Sequence, residues 1–84
     1  MNKQLDLYYF PSCPYCRRVL SAMERLGIND KITLYNIHQD RDADQRLVSV
    51  GGKRQVPCLF IDGKPLYESA DIVAYLEDTV AHAG

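Results

Sequence analysis

The chain predicts an α/β fold: a four-stranded mixed sheet with helices on both faces, in the order β-α-β-α-β-β-α. Three observations predict it. Strand-like and helix-like apolar periods alternate as far as Val50, Asp62-Gly63 links two short apolar runs, and an amphipathic stretch follows them. A strand–helix–strand start implies parallel strands joined by a right-handed crossover, and the hairpin adds an antiparallel pair.

Residues 4–10 (QLDLYYF) have strand composition, with Leu5, Leu7 and Tyr9 assigned to one face. Residues 14–26 follow a helical period through Val19, Leu20, Met23 and Leu26. Pro14 suits the first turn and Gly27 the exit. Residues 31–38 (KITLYNIH) form the second strand, Ile32, Leu34 and Asn36 opposing Thr33, Tyr35 and Ile37. Residues 42–50 form a weaker helix with Ala43, Leu47, Val48 and Val50 as its inner face, ended by Gly51-Gly52. Residues 56–61 and 64–67 are short strands; Asp-Gly between apolar runs is a strong hairpin signal. The last helix is predicted over 69–80, capped by Ser69 and buried along Ile72, Val73, Leu76 and Val80. Tyr8, Tyr9, Tyr35 and Tyr75 read as core or half-buried, and His38 as a surface strand end.

Eighty-four residues suffice for one core, so a single domain over 1–84 with a frayed tail at 81–84 is expected. Apolar residues make up 46% and charged residues 25%, and the net charge is −1. No basic run exceeds Arg17-Arg18 or Lys53-Arg54, which argues against a nucleic-acid partner. The chain is expected to be a monomer. No stretch has the length of a signal peptide or a membrane span, so a protein of the reducing cytosol is expected, without a membrane partner. There, three cysteines are read as catalytic or metal-binding rather than as a disulfide framework.

The chemistry concentrates in FPSCPYCRR, residues 10–18, where Cys13 and Cys16 straddle the change from first strand to first helix. A C-x-x-C at that place in a βαβ unit reads as a thioredoxin-like redox site. The start of a helix presents unpaired N–H groups and the positive end of the dipole, which stabilise a thiolate, the nucleophilic form. Cys13 is expected to be exposed and to attack; Cys16, one turn deeper, is expected to be shielded and to resolve the mixed disulfide. Arg17 and Arg18 add positive potential if their side chains turn back. The competing reading is a zinc half-site, which needs four ligands, and only Cys58, His38 or His82 stand available to complete it. No metal is expected.

CPYC, then V-P some forty residues on, then D-G and an acidic helix start, resembles the glutaredoxin family over residues 4–80, in its dithiol form. The resemblance implies a glutathione-dependent thiol–disulfide oxidoreductase that reduces protein disulfides or glutathionylated proteins. In it Cys13 takes glutathione, Cys16 resolves, and the two form a redox-active disulfide. It further implies that Tyr15 lies beside the tripeptide and that Val56 offers its backbone as an added strand would. Pro57 is then expected to be cis and to face the nucleophile; Pro is the residue type before which a cis bond is common. Ser69 would bind the γ-glutamyl carboxylate at the helix start, and Glu68 or Asp71 the ammonium group.

The sequence departs from that pattern in three places. Phe10 stands where many glutaredoxins have lysine, Gln55 precedes Val56-Pro57 in place of threonine, and Tyr67-Glu68 replaces Gly-Gly. LYESADIVAYLE (66–77) is similar instead to the glutathione-binding end of the thioredoxin-like domain of glutathione transferases, which add a second, helical domain. Lys53 and Arg54 are candidates to supply the glycine-carboxylate charge that Phe10 lacks. The alternative function is a non-catalytic glutathione-binding module or a glutathione-ligated iron–sulfur carrier, against which the stiff Pro14 turn argues. Cys58 is either a small buried strand residue or a third thiol at the CPYC site.

Overall fold

The structure, a computed structural model, describes residues 3–80; the expected frayed tail at 81–84 lies outside them. The elements are β1 (Leu5–Tyr9), α1 (Pro14–Leu26), β2 (Thr33–Asn36), α2 (Arg41–Gly51), β3 (Cys58–Ile61), β4 (Lys64–Leu66) and α3 (Ser69–Tyr75). They form one sheet in the order β2-β1-β3-β4. β1 and β2 are parallel, while β3 runs antiparallel to both β1 and β4. This is the thioredoxin-like arrangement predicted.

Two cores lie on the two faces of the sheet. Leu5, Leu7 and Leu59 meet Val19 and Met23 of α1 and Ile72 of α3 on one face, with Ile28, Ile32, Leu76 and Val80 closing the cluster. On the other, Tyr8, Cys58 and Phe60 meet Ala43 and Leu47 of α2, together with Ile37. Alternation along a strand explains the split: Leu7 and Tyr8 are neighbours in sequence and point to opposite layers. Tyr9, placed on one face with Leu5 and Leu7, is half-buried at the end of its strand, within the expected range.

The clearest local signals have physical counterparts. Gly27 takes φ 68; its N–H donates to the Glu24 carbonyl at 3.2 Å and that of Ile28 to Met23 at 3.1 Å. That pair of bonds closes α1 and turns Ile28 into the core. Asp62 and Gly63 take φ 50 and 86, the doubly left-handed turn that matches the twist of a two-residue hairpin.

Four expectations need correction. The second strand is shorter than 31–38, because Asn29–Lys31 coil into a tight 3-10 turn first. Val48 and Val50 are not inner-face residues: they are 44% and 54% exposed. The inward stripe of α2 runs through Ala43, Leu47 and Gly51, four residues apart, with the Phe60 ring lying against Gly51. The last helix is not uniform over 69–80, since α3 widens into a π-type turn at Leu76–Val80 while keeping Leu76 and Val80 buried. Ser69 is not the cap. Glu68 holds that position with φ 71 and ψ 113, and Ser69 is the buried first residue of the helix.

Candidate functional site

The sheet register brings three chain segments to one end. β1 ends there and leads into Phe10–Cys13; β3 begins there, with Tyr8 opposite Cys58, so Val56-Pro57 emerges beside that loop. Leu66 of β4 pairs with Leu59, so Tyr67, Glu68 and Ser69 leave the sheet at the same end. The Val56–Pro57 bond is cis, as expected, and Pro57 is buried.

Cys13 is the N-cap of α1. Its Sγ accepts the backbone N–H of Cys16 at 3.3 Å, its own N–H donates to the Phe10 carbonyl at 3.2 Å, and its carbonyl accepts from the Arg17 N–H at 3.0 Å. No acidic residue stands in the first turn to oppose negative charge on the sulfur. Contrary to expectation Cys13 is buried, at 6% exposure. The capping bond turns the sulfur inward over the helix end, whereas an unbonded side chain at a loop tip would project into solvent. Cys16 is fully buried; burial, then the Cys13 sulfur beside it, push its thiol up to about 12. All three cysteines are free thiols.

Around the thiol, Tyr15 is 59% exposed, with the Arg18 guanidinium 5.9 Å from its ring centre. Phe10 stacks on His38, their rings 4.3 Å apart and 11° from parallel, so an aromatic pair occupies the place where a lysine was wanted. Arg54 grips Asp44 with two bonds of 2.8 and 3.1 Å, and the Lys53 ammonium lies 5.3 Å over the Tyr67 ring. Of that pair only Lys53 is free of a carboxylate partner, among the described residues. Glu68 and Asp71 are exposed at the start of α3. Glu68 makes no side-chain capping bond, and its left-handed backbone is uncommon for a residue with a Cβ.

Cys58 belongs to the second core, on the α2 side of the sheet, away from the α1 side where Cys16 is buried. Burial pushes its thiol up to about 11, and the Tyr67 hydroxyl beside it pulls the other way. It is the small buried strand residue, not a third thiol at CPYC. Among the described residues no group of three or more His, Cys, Asp or Glu is placed to hold a metal ion. Nor, among the described residues, is any helix long and apolar enough to cross a membrane.

Residues 12–79 match the family model described as "Glutathione S-transferase, N-terminal domain". The chain belongs to that family. Within it, this transferase-type domain is also similar to glutaredoxins. A probable glutaredoxin of Synechocystis sp. is 29% identical over 75 residues, 88% of this chain and 83% of that protein. Among solved structures, oxidized glutaredoxin 2 from Chlamydomonas reinhardtii superposes with a TM-score of 0.68 at 24% identity, covering 96% of this chain and 78% of that one. Glutathione transferase Omega 3C from Trametes versicolor reaches 0.75 at 28% identity, covering 92% of this chain but 34% of its own. The transferase-family domain thus spans most of the glutaredoxins and about a third of that transferase, and it combines features of both.

The two raised thiols give a test of the site's chemistry. In the native domain at pH 8, iodoacetamide is expected to modify Cys13 alone, because Cys16 and Cys58 are fully buried and protonated. Peptide mapping after a timed quench reads this out. Both folded-state values lie above the ordinary 9.0, so the folded protein holds these protons more tightly than the unfolded chain does. Their contribution is complete below pH 9 and is lost as pH rises towards 11–12. A urea midpoint that falls across that window is the expected result; a flat one there would contradict it.

Proposed function

We propose that this domain is a glutathione-dependent thiol–disulfide oxidoreductase with Cys13 as nucleophile and Cys16 as resolving thiol. The observation that carries the proposal is the Cys16 N–H donated to the Cys13 sulfur at the head of α1, in a first turn free of acidic residues. A sulfur held by a fixed donor at the head of a helix is placed to meet an incoming disulfide, and a thiolate is what attacks one. The thioredoxin-like fold and the family support a glutathione-related redox role.

In this reading the Cys13 thiolate attacks the glutathionyl sulfur of a mixed disulfide. The Cys13–glutathione bond forms as the substrate's S–S bond breaks, and the substrate leaves as a thiolate that takes a proton from water. A second glutathione thiolate attacks the glutathione sulfur, releasing glutathione disulfide and restoring Cys13. With a protein disulfide, Cys13 joins one substrate sulfur and Cys16 displaces it, leaving a Cys13–Cys16 disulfide that two glutathiones reduce. The tripeptide would lie along Val56 and beside Pro57 as an added strand, with Tyr15 at its flank. Ser69 would receive its γ-glutamyl carboxylate, Glu68 or Asp71 its ammonium, and Lys53 its glycine carboxylate. Arg54 would contribute field only, since Asp44 already neutralises it.

The family match favours one second reading: a glutathione-holding domain in which the tripeptide's own thiol, not Cys13, does the chemistry. One experiment separates the two. The protein is supplied with a glutathione mixed disulfide, glutathione, glutathione reductase and NADPH, and the adduct is trapped by acid quench. NADPH consumption with glutathione found on Cys13 supports the oxidoreductase. Retention on immobilised glutathione without turnover or adduct supports the holding domain and overturns the first reading.

A further inference from the structure

Tyr67 follows β4 directly and reaches across to the loop between α2 and β3. Its hydroxyl accepts the backbone N–H of Lys53 at 3.3 Å and donates to the Lys53 carbonyl at 3.0 Å. Both bonds go to the backbone of one residue, so the hydroxyl holds the Lys53 peptide from its N–H and its carbonyl together. The Lys53 ammonium folds back over the ring at 5.3 Å, a third contact between the two residues. Below the hydroxyl, α2 ends in Gly51, where a Cβ would collide with the Tyr67 oxygen and press on the Phe60 ring at 3.4 Å. The close approach therefore needs a residue without a side chain. The hydroxyl also lies beside the thiol of Cys58, the first residue of β3.

These contacts join two segments that the sequence separates by 14 residues. One is the 52–57 loop, which ends in the cis Val56–Pro57 bond and carries Lys53; the other is the 67–71 stretch, which opens α3. In the reading proposed above they hold opposite parts of the same tripeptide. We infer that Tyr67 is a positioning residue for glutathione: its hydroxyl clamps the Lys53 backbone and so sets the spacing between the strand-like Val56 edge and the start of α3. The inference rests on the oxidoreductase reading and adds to it a residue that touches neither the Cys13 nor the Cys16 sulfur, nor the tripeptide. Without the hydroxyl the loop loses both bonds at Lys53, and glutathione must order it on binding.

The test is Tyr67→Phe, which keeps the ring and removes the clamp. The apparent KM for glutathione in mixed-disulfide turnover is expected to rise about tenfold, equivalent to ~1.4 kcal/mol. The kcat should stay within about twofold, as for a loss of binding common to ground and transition states. Alkylation of Cys13 by iodoacetamide, which needs no tripeptide site, should keep the wild-type rate, and the Lys53 amide should exchange hydrogen faster. A general loosening of the fold would change alkylation and kcat as well, and that result overturns the inference. So does a wild-type KM in Tyr67→Phe, which leaves the oxidoreductase reading standing. Absence of turnover in the wild type overturns both. Should Tyr67→Phe fail to fold, Gly51→Ala displaces the hydroxyl from the other side: a raised KM with unchanged Cys13 alkylation supports the clamp, and an unchanged KM overturns it.

Discussion

Cys13→Ser is expected to lose glutathione mixed-disulfide turnover by at least about a thousandfold, to the level of uncatalysed exchange, whereas Cys16→Ser stays within about threefold of the wild type. The asymmetry follows from what each sulfur does. The donor to the Cys13 sulfur is the backbone N–H of residue 16, at 3.3 Å, and that group survives replacement of the Cys16 side chain. The Cys16 thiol is itself a poor nucleophile at neutral pH, pushed up to about 12 chiefly by burial. Two further causes of its rise, the hydrogen bond and the charge of Cys13, disappear once Cys13 is capped by a mixed disulfide. Burial remains. Attack by an external glutathione thiolate is therefore the route that needs least from Cys16. Reduction of an intramolecular protein disulfide is different: with Cys16→Ser the protein–Cys13 adduct should persist until glutathione releases it, and non-reducing electrophoresis after acid quench will show the adduct. Loss of both activities in Cys16→Ser would make the dithiol route obligatory, and activity in Cys13→Ser would place the nucleophile elsewhere.

Much of this arrangement is legible in the sequence because it is encoded locally. Pro14 and Gly27 bracket a stretch with a steady apolar period, and α1 has those bounds in the structure. Asp62-Gly63 specifies its own turn, with both residues at positive φ. The cis Val56–Pro57 bond follows from the resemblance carried by CPYC and V-P. Features set by contacts between distant residues are not legible. Nothing near Cys13 announces that its sulfur folds inward as a cap. Val48 and Val50 have the composition of a core, yet the inward line of α2 is fixed by where Phe60 and Tyr67 meet Gly51, sixteen or fewer residues away but on other elements. The Phe10–His38 stack joins the ends of two parallel strands and becomes visible only once their register is known, Ile37 N–H donating to the Tyr9 carbonyl at 2.9 Å. Serine before an apolar period is a sound cap signal. Here the residue before it takes the cap position in a left-handed conformation, which a propensity argument does not reach.

Leu59→Ala is expected to destabilise the fold by about 3–4 kcal/mol, from lost transfer free energy and the cavity left behind. Leu59 is fully buried at the middle of the sheet: it pairs with Leu7 on β1 and Leu66 on β4 and belongs to the core beneath α1 and α3. A chain of 84 residues has a total stability of about 4–13 kcal/mol, so this single change removes between a quarter and nearly all of it. The urea midpoint should fall in proportion while the m-value holds, and the midpoint of thermal unfolding should drop by more than about 10 °C. Val48→Ala, on the exposed flank of α2, supplies the contrast and should stay within about 0.5 kcal/mol of the wild type. The position also bears on the chemistry. The strand carrying Leu59 starts immediately after Pro57, and its two neighbours lead into Cys13 and into Tyr67, so all three segments of the site leave from the strands that Leu59 holds in register. Below its own unfolding temperature, the folded fraction of Leu59→Ala should alkylate at Cys13 at the wild-type rate, since the capping bond is local to the head of α1. Bulk activity should then track the folded fraction as temperature rises. A drop in the Cys13 rate well below the unfolding transition would mean instead that the sheet and the helix start are mechanically coupled, and that the thiol's environment depends on the core beneath it.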